Sequence, residues 1–182
     1  MTVGTVGRRA VVGLGSSLGD RRGQLELAAR LLHAWPGLRV LRSSRLYRTP
    51  PWGGVARNWF LNGAVLLESS LGARELLGVC QAIERRLGRR GGLRWGDRAV
   101  DLDLLCMDGC VARGPDARVP HPRIAERPFV VLPLEDVLPG ARNPLTERRF
   151  VDEHQALGAA AALPRAVPVG VLWRPRRAKA DS

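Results

Sequence analysis

The chain has 182 residues, 45% hydrophobic and 25% charged, an ordinary balance for a soluble globular protein and enough chain for one domain with a real core. No apolar run reaches membrane-span length and the N-terminus lacks a signal-peptide h-region, so the expected location is the cytoplasm, with no membrane partner. The net charge is +12, yet only Lys179 among the 29 basic residues is a lysine, which excludes a P-loop and leaves phosphate chemistry to arginines, backbone amides and metal.

Residues 1–8 read as a loose start. Arg9 to Gly15 reads as a first strand, and Ser16 to Asp20 as a tight turn into a helix, with Asp20 or a nearby serine as N-cap. The glycines Gly13, Gly15 and Gly19 do not make a dinucleotide fingerprint, because Leu18 stands where G-x-G-x-x-G needs its third glycine. Leu25, Ala28, Ala29 and Leu32 fall at i, i+3, i+4, i+7, one buried helical stripe that Pro36-Gly37 ends. Leu38 to Tyr47 reads as a second strand, and Thr49-Pro50-Pro51-Trp52-Gly53-Gly54 as a loop. Phe60 to Glu68 is a third strand, with Phe60 and Asn62 on one face. Ser69-Ser70 can cap a second helix, whose stripe is Leu76, Cys80, Ile83 and Leu87, with Gln81 and Glu84 together on an adjoining face. Gly88 closes that helix, and Arg89-Arg90-Gly91-Gly92 leads into the next strand. Cys80, Cys106 and Cys110 are odd in number and lack metal spacing, so they read as reduced thiols.

The strand that follows organises the rest. Arg94-Trp95-Gly96-Asp97-Arg98 runs into Val100-Asp101-Leu102-Asp103-Leu104, where alternation puts both aspartates on one face and the apolar side chains on the other. Two strand rises separate the carboxylates by about 6–7 Å, and at an effective dielectric near 20 they repel by roughly 2–3 kcal/mol. Something positive should sit between them. Taken alone, a D-x-D is a solvated strand face; an arginine-rich loop feeding it suits a metal-bound polyphosphate, since Mg²⁺ is held by one or two carboxylates plus substrate phosphates. Asp108-Gly109 then reads as a hairpin turn, Cys110-Val111 as a short strand, Val119-Pro120-His121-Pro122 as a rigid loop and Phe129 to Leu138 as a third helix. Val167 to Trp173 reads as an edge strand, and 174–182 as a basic, disordered tail. The order is βαββαβ plus a C-terminal extension: an α+β, ferredoxin-like core over 1–173, a mostly antiparallel sheet with helices on one side.

Leu14-Gly15-Ser16-Ser17-Leu18-Gly19-Asp20, Tyr47-Arg48-Thr49-Pro50-Pro51, Phe60-Leu61-Asn62, Arg94-Trp95-Gly96 through Asp103, Val119 to Arg123 and Glu126 to Phe129 together resemble the 6-hydroxymethyl-7,8-dihydropterin pyrophosphokinase family of folate synthesis, from Val11 to about Pro139. The resemblance implies transfer of the terminal pyrophosphoryl unit of ATP to the hydroxymethyl group of a reduced pterin, leaving AMP. It implies Asp101 and Asp103 as ligands of Mg²⁺, two ions with ATP as co-substrate, and Arg89 and Arg98 as catalytic neutralisers of phosphate charge. Gln81, Trp95, Arg98, His121 and Arg127 match ATP-binding positions. Phe60 and Phe129 match an aromatic pair that sandwiches the pterin, with Asn62, Thr49, Pro50 and Trp52 as further pterin positions. Glu84 matches an acidic residue near the site, in a structural or catalytic role. Three departures stand out, one of them a single Arg90 in a loop slightly shorter than in some relatives, which blurs the second loop arginine. Asp97 occupies a position where the family usually has proline, adding flexibility and a negative charge beside Arg98, and Asp116-Ala117-Arg118 stands where the family often has an arginine and a threonine that touch ATP.

Two other classes compete. A βαββαβ chain at +12 suits an RNA-recognition module, but no aromatic-rich RNP motif is present and two acids on the last strand would repel phosphates without metal. Another D-x-D metal enzyme, a sugar-nucleotide transferase or nuclease, is the second. The expected protein is a monomer that takes ATP and the pterin and no nucleic acid.

Overall fold

The computed structural model describes residues 7–51, 56–89, 96–157 and 167–173. Trp52, Arg90, Trp95 and the basic tail 174–182 lie outside them. Strand β1 (Arg8–Ser16) holds Gly13 and Gly15 as expected and takes one residue more at each end, Arg8 and Ser16. Helix α1 (Arg21–Ala34) begins where Asp20 Oδ1 accepts from the Gly23 amide at 3.0 Å, and it buries Leu25, Ala28, Ala29 and Leu32. Gly37, at φ +81°, reverses the chain after it, a conformation that L side chains resist.

The expected strand over 38–47 is two strands, β2 (Leu38–Ser43) and β3 (Arg45–Thr49), both antiparallel to β4 (Phe60–Ser69). Ser44 breaks it: its Oγ accepts from the Ala64 amide at 2.8 Å, and its own amide donates to the Ala64 carbonyl. One extra residue is thereby absorbed between the pairs Ser43↔Val65 and Tyr47↔Asn62. Helix α2 (Ala73–Arg86) is capped by neither Ser69 nor Ser70. Gly72 is its N-cap, and Glu75 reaches back to accept from the Gly72 amide at 2.7 Å, while Ser69 Oγ serves the Leu71 amide in the preceding turn. The serines stand too far upstream to reach a helix amide.

Strand β5 (Asp101–Met107) pairs antiparallel with β1. The small hairpin beyond it uses β6 (Ala112–Arg113), not Cys110-Val111, against β7 (Arg118–Val119). Helix α3 (Pro128–Val137) starts with proline at its first position, where no amide is needed. Helix α4 (Phe150–Ala156) was not expected; it is seven residues long, with Phe150 as its buried anchor and Val151 packed beside the same cluster. Strand β8 (Val167–Val171) adds to the free edge of β3.

The sheet order is β5-β1-β4-β3-β8, with β2 also on β4 and every pairing antiparallel, which is the ferredoxin-like arrangement with one strand added. Helices α1 and α2 pack with Ala10, Val12, Leu14, Val65, Leu67, Leu102 and Leu104. The third helix does not join them. It packs on the opposite face with Val11, Ala64, Leu66 and Leu105, together with Ile124 and Phe150, so the helices lie on both sides of the sheet. Fully buried leucines such as Leu25, Leu67 and Leu104 each contribute about 1.5–3 kcal/mol relative to exposure. The α3 cluster covers only half of its face. Towards Gly15, Asn62 and Asp101 the same face becomes a cavity wall.

Candidate active site

The cavity, of about 980 Å³, is lined by Thr49, Pro50, Phe60, Asn62, Gln81, Arg89, Arg98, Asp101, Asp103, His121, Arg127 and Phe129. Those are all the site residues expected from the sequence that fall among the described residues. They arrive from six places: the end of β3, the start of β4, the end of α2, the start of β5, the loop after β7 and the first turn of α3. Strand alternation explains the clustering, because Gly13, Gly15, Asn62, Asp101 and Asp103 all share the α3 face and their partners Val12, Leu14, Leu102 and Leu104 are core on the other.

Gly13 and Gly15, expected only as strand residues, form part of the cavity wall. Gly15 sits opposite both Asn62 and Asp101, and a Cβ there would press to 3.1 Å from Asn62 Oδ1. Two glycines two apart, within a run that otherwise alternates large apolar residues, were the available signal. Asn62 is buried and donates Nδ2–H to Thr49 Oγ1 at 2.8 Å, which fixes the amide and turns its oxygen towards Gly15. Phe60 and Phe129 are half-buried and line the cavity rather than the core. The Arg127 guanidinium lies 5.9 Å from the centre of the Phe129 ring.

At the other end of the cavity the positive charge held against Asp101 is arginine. Asp101 accepts from Arg89 Nη1 at 2.7 Å through one oxygen and pairs with Arg98 Nη1 at 2.8 Å through the other. Arg89 also donates to Glu84, whose Oε1 in turn accepts from the Leu102 amide at 2.7 Å. Glu84 thus ties the end of α2 to the start of β5 and holds Arg89 over Asp101. Burial raises the Glu84 pKa, partly offset by the Leu102 amide and Arg89. Burial, then the charge of Asp101, pushes Asp103 up to about 7, against the opposing pull of Arg127. Arg127 itself is lowered, chiefly by burial. His121 is pushed down to about 4 by burial and by Arg127 and Arg123, so it is neutral at pH 7. Its Nδ1 accepts from the Arg123 amide at 3.2 Å, which leaves the proton on Nε2. The His121 amide donates to Leu105 O at 2.7 Å, and the Val119–Pro120 peptide just before it is cis.

Among the described residues no three His, Cys, Asp or Glu side chains converge as a metal cage. Two acids that repel each other beside arginines suit instead a cation that arrives on a polyphosphate and keeps phosphate oxygens as its other ligands. An extra positive charge there would favour the ionised Asp103 that burial and Asp101 disfavour.

Asp97 is not a source of flexibility. Its carboxylate accepts from the Arg57 amide at 3.2 Å, the Asn58 amide at 3.2 Å and Asn58 Nδ2 at 2.9 Å. Asp116 and Arg118 both line the cavity, and Asp116 also forms an exposed ion pair with Arg74 of α2.

Comparisons with known proteins point to one family. The family model of 7,8-dihydro-6-hydroxymethylpterin-pyrophosphokinase matches residues 11–139. The chain is 44% identical over 131 residues to the 2-amino-4-hydroxy-6-hydroxymethyldihydropteridine pyrophosphokinase of Methylorubrum extorquens, covering 72% of this chain and 83% of that protein. It is 41% identical over 128 residues to the enzyme of the same name from Bacillus subtilis, covering 70% and 77%. In a crystal structure of a Plasmodium falciparum HPPK-DHPS variant with pterin and p-hydrobenzoate, the fold matches at TM-score 0.62 and 12% identity, over 86% of this chain and 45% of that one. The chain thus spans under half the length of that bifunctional protein, and the likeness to it is one of fold. On the extent of the family match and the identity to its curated members, the chain belongs to the 7,8-dihydro-6-hydroxymethylpterin-pyrophosphokinase family.

Proposed function

We propose that the family's reaction runs in this cavity, with the phosphates at the Asp101–Asp103 end and the pterin between Phe60 and Phe129. The chain is a pyrophosphokinase of folate synthesis: it transfers the pyrophosphoryl unit of ATP to the hydroxymethyl group of 6-hydroxymethyl-7,8-dihydropterin. What supports the residue roles is one observation, the convergence of two aspartates and Arg89, Arg98 and Arg127 at one end with Phe60, Asn62 and Phe129 at the other.

Asp101 and Asp103 would hold the magnesium that travels with ATP, two ions in the complete complex. When bound, magnesium supplies charge neutralisation at the phosphate oxygens. Arg89 and Arg98 exchange part of their hold on Asp101 for phosphate oxygens and oppose the charge that spreads over them in the transition state. Glu84 keeps Arg89 oriented while that exchange occurs. Gln81, Trp95, neutral His121 and Arg127 hold the nucleotide, His121 donating from Nε2. Asn62, fixed by Thr49, reads the pterin edge together with Pro50 and Trp52, and the two phenylalanines cover its faces. No general base is required, because a primary hydroxyl held in line with the β-phosphorus gains its rate from positioning and charge neutralisation. Residues 1–173 act as one pyrophosphokinase domain, a cytoplasmic monomer with no nucleic-acid partner. Among the described residues no helix is long and apolar enough to cross a membrane.

The deciding experiment is AMP release from ATP and Mg²⁺ with and without the reduced pterin. AMP formed only in its presence supports the reading; AMP formed equally without it overturns it.

A further inference from the structure

Three segments meet at the edge of the cavity, where Asp97 is one of the lining residues. The turn before α1 supplies Ser17, whose amide donates to Arg98 O at 3.0 Å and whose Oγ accepts from the Arg98 amide at 2.9 Å. The segment before β5 supplies Asp97, which accepts from both amides of 57–58 and from Asn58 Nδ2. The segment before β4 closes the ring, because Arg21, the first residue of α1, donates Nη1–H to Trp59 O at 2.7 Å. Arg48 of β3 adds its guanidinium 4.5 Å from the Trp59 ring. Each segment runs straight into a cavity strand: Ser17 follows Gly15, Asn58 precedes Phe60 and Asn62, and Asp97 precedes Arg98 and Asp101.

We infer that Asp97 is a positioning residue that couples the pterin half of the cavity to the phosphate half. The inference rests on the residue roles proposed above. A carboxylate is the one group that can do this job at position 97, since all three donors from 57–58 converge on it and neither a proline nor an alanine has an acceptor to offer. Through Asp97 the segment that sets Phe60 and the segment that sets Arg98 move as one piece. A ligand that orders either one lowers the cost of ordering the other, which is positive coupling between two sites and is reciprocal. Asp97 touches neither substrate in this scheme.

The test is calorimetric titration of 6-hydroxymethyl-7,8-dihydropterin with and without a saturating non-hydrolysable ATP analogue and Mg²⁺. In the wild-type chain the analogue should tighten pterin binding about fivefold or more. Asp97→Ala should remove most of that tightening, while pterin affinity without nucleotide changes less than about threefold. Asn58→Asp, which sets a second carboxylate against the first, should have the same effect from the other side of the contact. Asp97→Glu, which keeps a carboxylate within reach of the same donors, should retain a measurable part of the tightening that Asp97→Ala loses. No tightening in the wild-type chain, full tightening in Asp97→Ala, or a loss in Asp97→Glu as complete as in Asp97→Ala each overturns the inference. Loss of pterin-dependent AMP release in the wild-type chain would instead remove the functional reading beneath it.

Discussion

The two faces of the sheet are built from the same strands and do opposite work. Facing α1 and α2, β1, β4 and β5 present Val12, Leu14, Val65, Leu67, Leu102 and Leu104, all buried and apolar. One residue along each strand, the face towards α3 presents Val11, Ala64, Leu66 and Leu105 at one end but Gly13, Gly15, Asn62, Asp101 and Asp103 at the other. A side-chain period of two lets one strand spend alternate residues on stability and on chemistry without either interfering. Each face also holds a helix by a buried or half-buried carboxylate. Glu84 of α2 accepts from the Leu102 amide of β5 at 2.7 Å, and Asp136 of α3 accepts from the side chain and amide of Arg45 and from Tyr47 Oη at 2.9 Å, which ties α3 to β3.

That contrast breaks most sharply at neighbouring residues of β5. Asp103→Ala should cut pterin-dependent AMP formation by about 10²–10³-fold or more, with a melting temperature close to wild type, because the lost carboxyl was already disfavoured by burial and by Asp101. Substantial turnover of this variant in Mg²⁺ would contradict the assignment of that face. Leu104→Ala, one residue on, should do the reverse. Urea denaturation should find it about 2–5 kcal/mol less stable, while folded protein binds nucleotide as the wild type does.

The comparison sharpens at Phe129, which belongs to α3 yet lines the cavity. Phe129→Ala should weaken pterin binding by about 0.5–1.5 kcal/mol beyond the lost contact area, and ATP binding much less. Equal losses for the two ligands would make Phe129 part of the α3 packing instead. The smallest effect concerns the polar tie. Burial raises the Asp136 carboxyl, but hydrogen bonds from Arg45 and Tyr47 outweigh it and hold the group below the ordinary carboxylate range. A depressed folded pKa stabilises at pH above the unfolded value near 3.9 and loses that contribution as pH falls through the folded value. The stability gap between wild type and Asp136→Asn, about 1 kcal/mol at pH 7, should therefore hold down to about pH 5 and close below about pH 4. A gap that persists unchanged at pH 2.5 would show that the charge of Asp136 is not what ties α3 down.

Much of this was legible in the chain itself. Period-two and period-3.6 patterns gave the βαββαβ order, the stripe of α1 and the facing of Asp101 with Asp103, because these depend only on residues a few places apart. The spaced motifs gave the family. What the sequence misplaced was local but settled by distant partners. Ser44 splits a strand because its hydroxyl meets the Ala64 amide, and Ser69 caps a turn, not a helix, because Glu75 reaches Gly72 first. The side of the sheet that α3 takes could not be read from its own residues, since an almost wholly apolar helix fits either face; it was decided by which strand residues stood opposite. Asp97 shows the same limit. As a letter it replaces a proline with a flexible acid, and only the fold, by bringing residues 57 and 58 beside it, makes that acid a tie between two halves of a site. A sequence fixes the chemistry that each residue carries and the face on which it lies. Its partners from elsewhere in the chain exist only once tertiary packing has brought them within hydrogen-bond reach, and that reach decides the role.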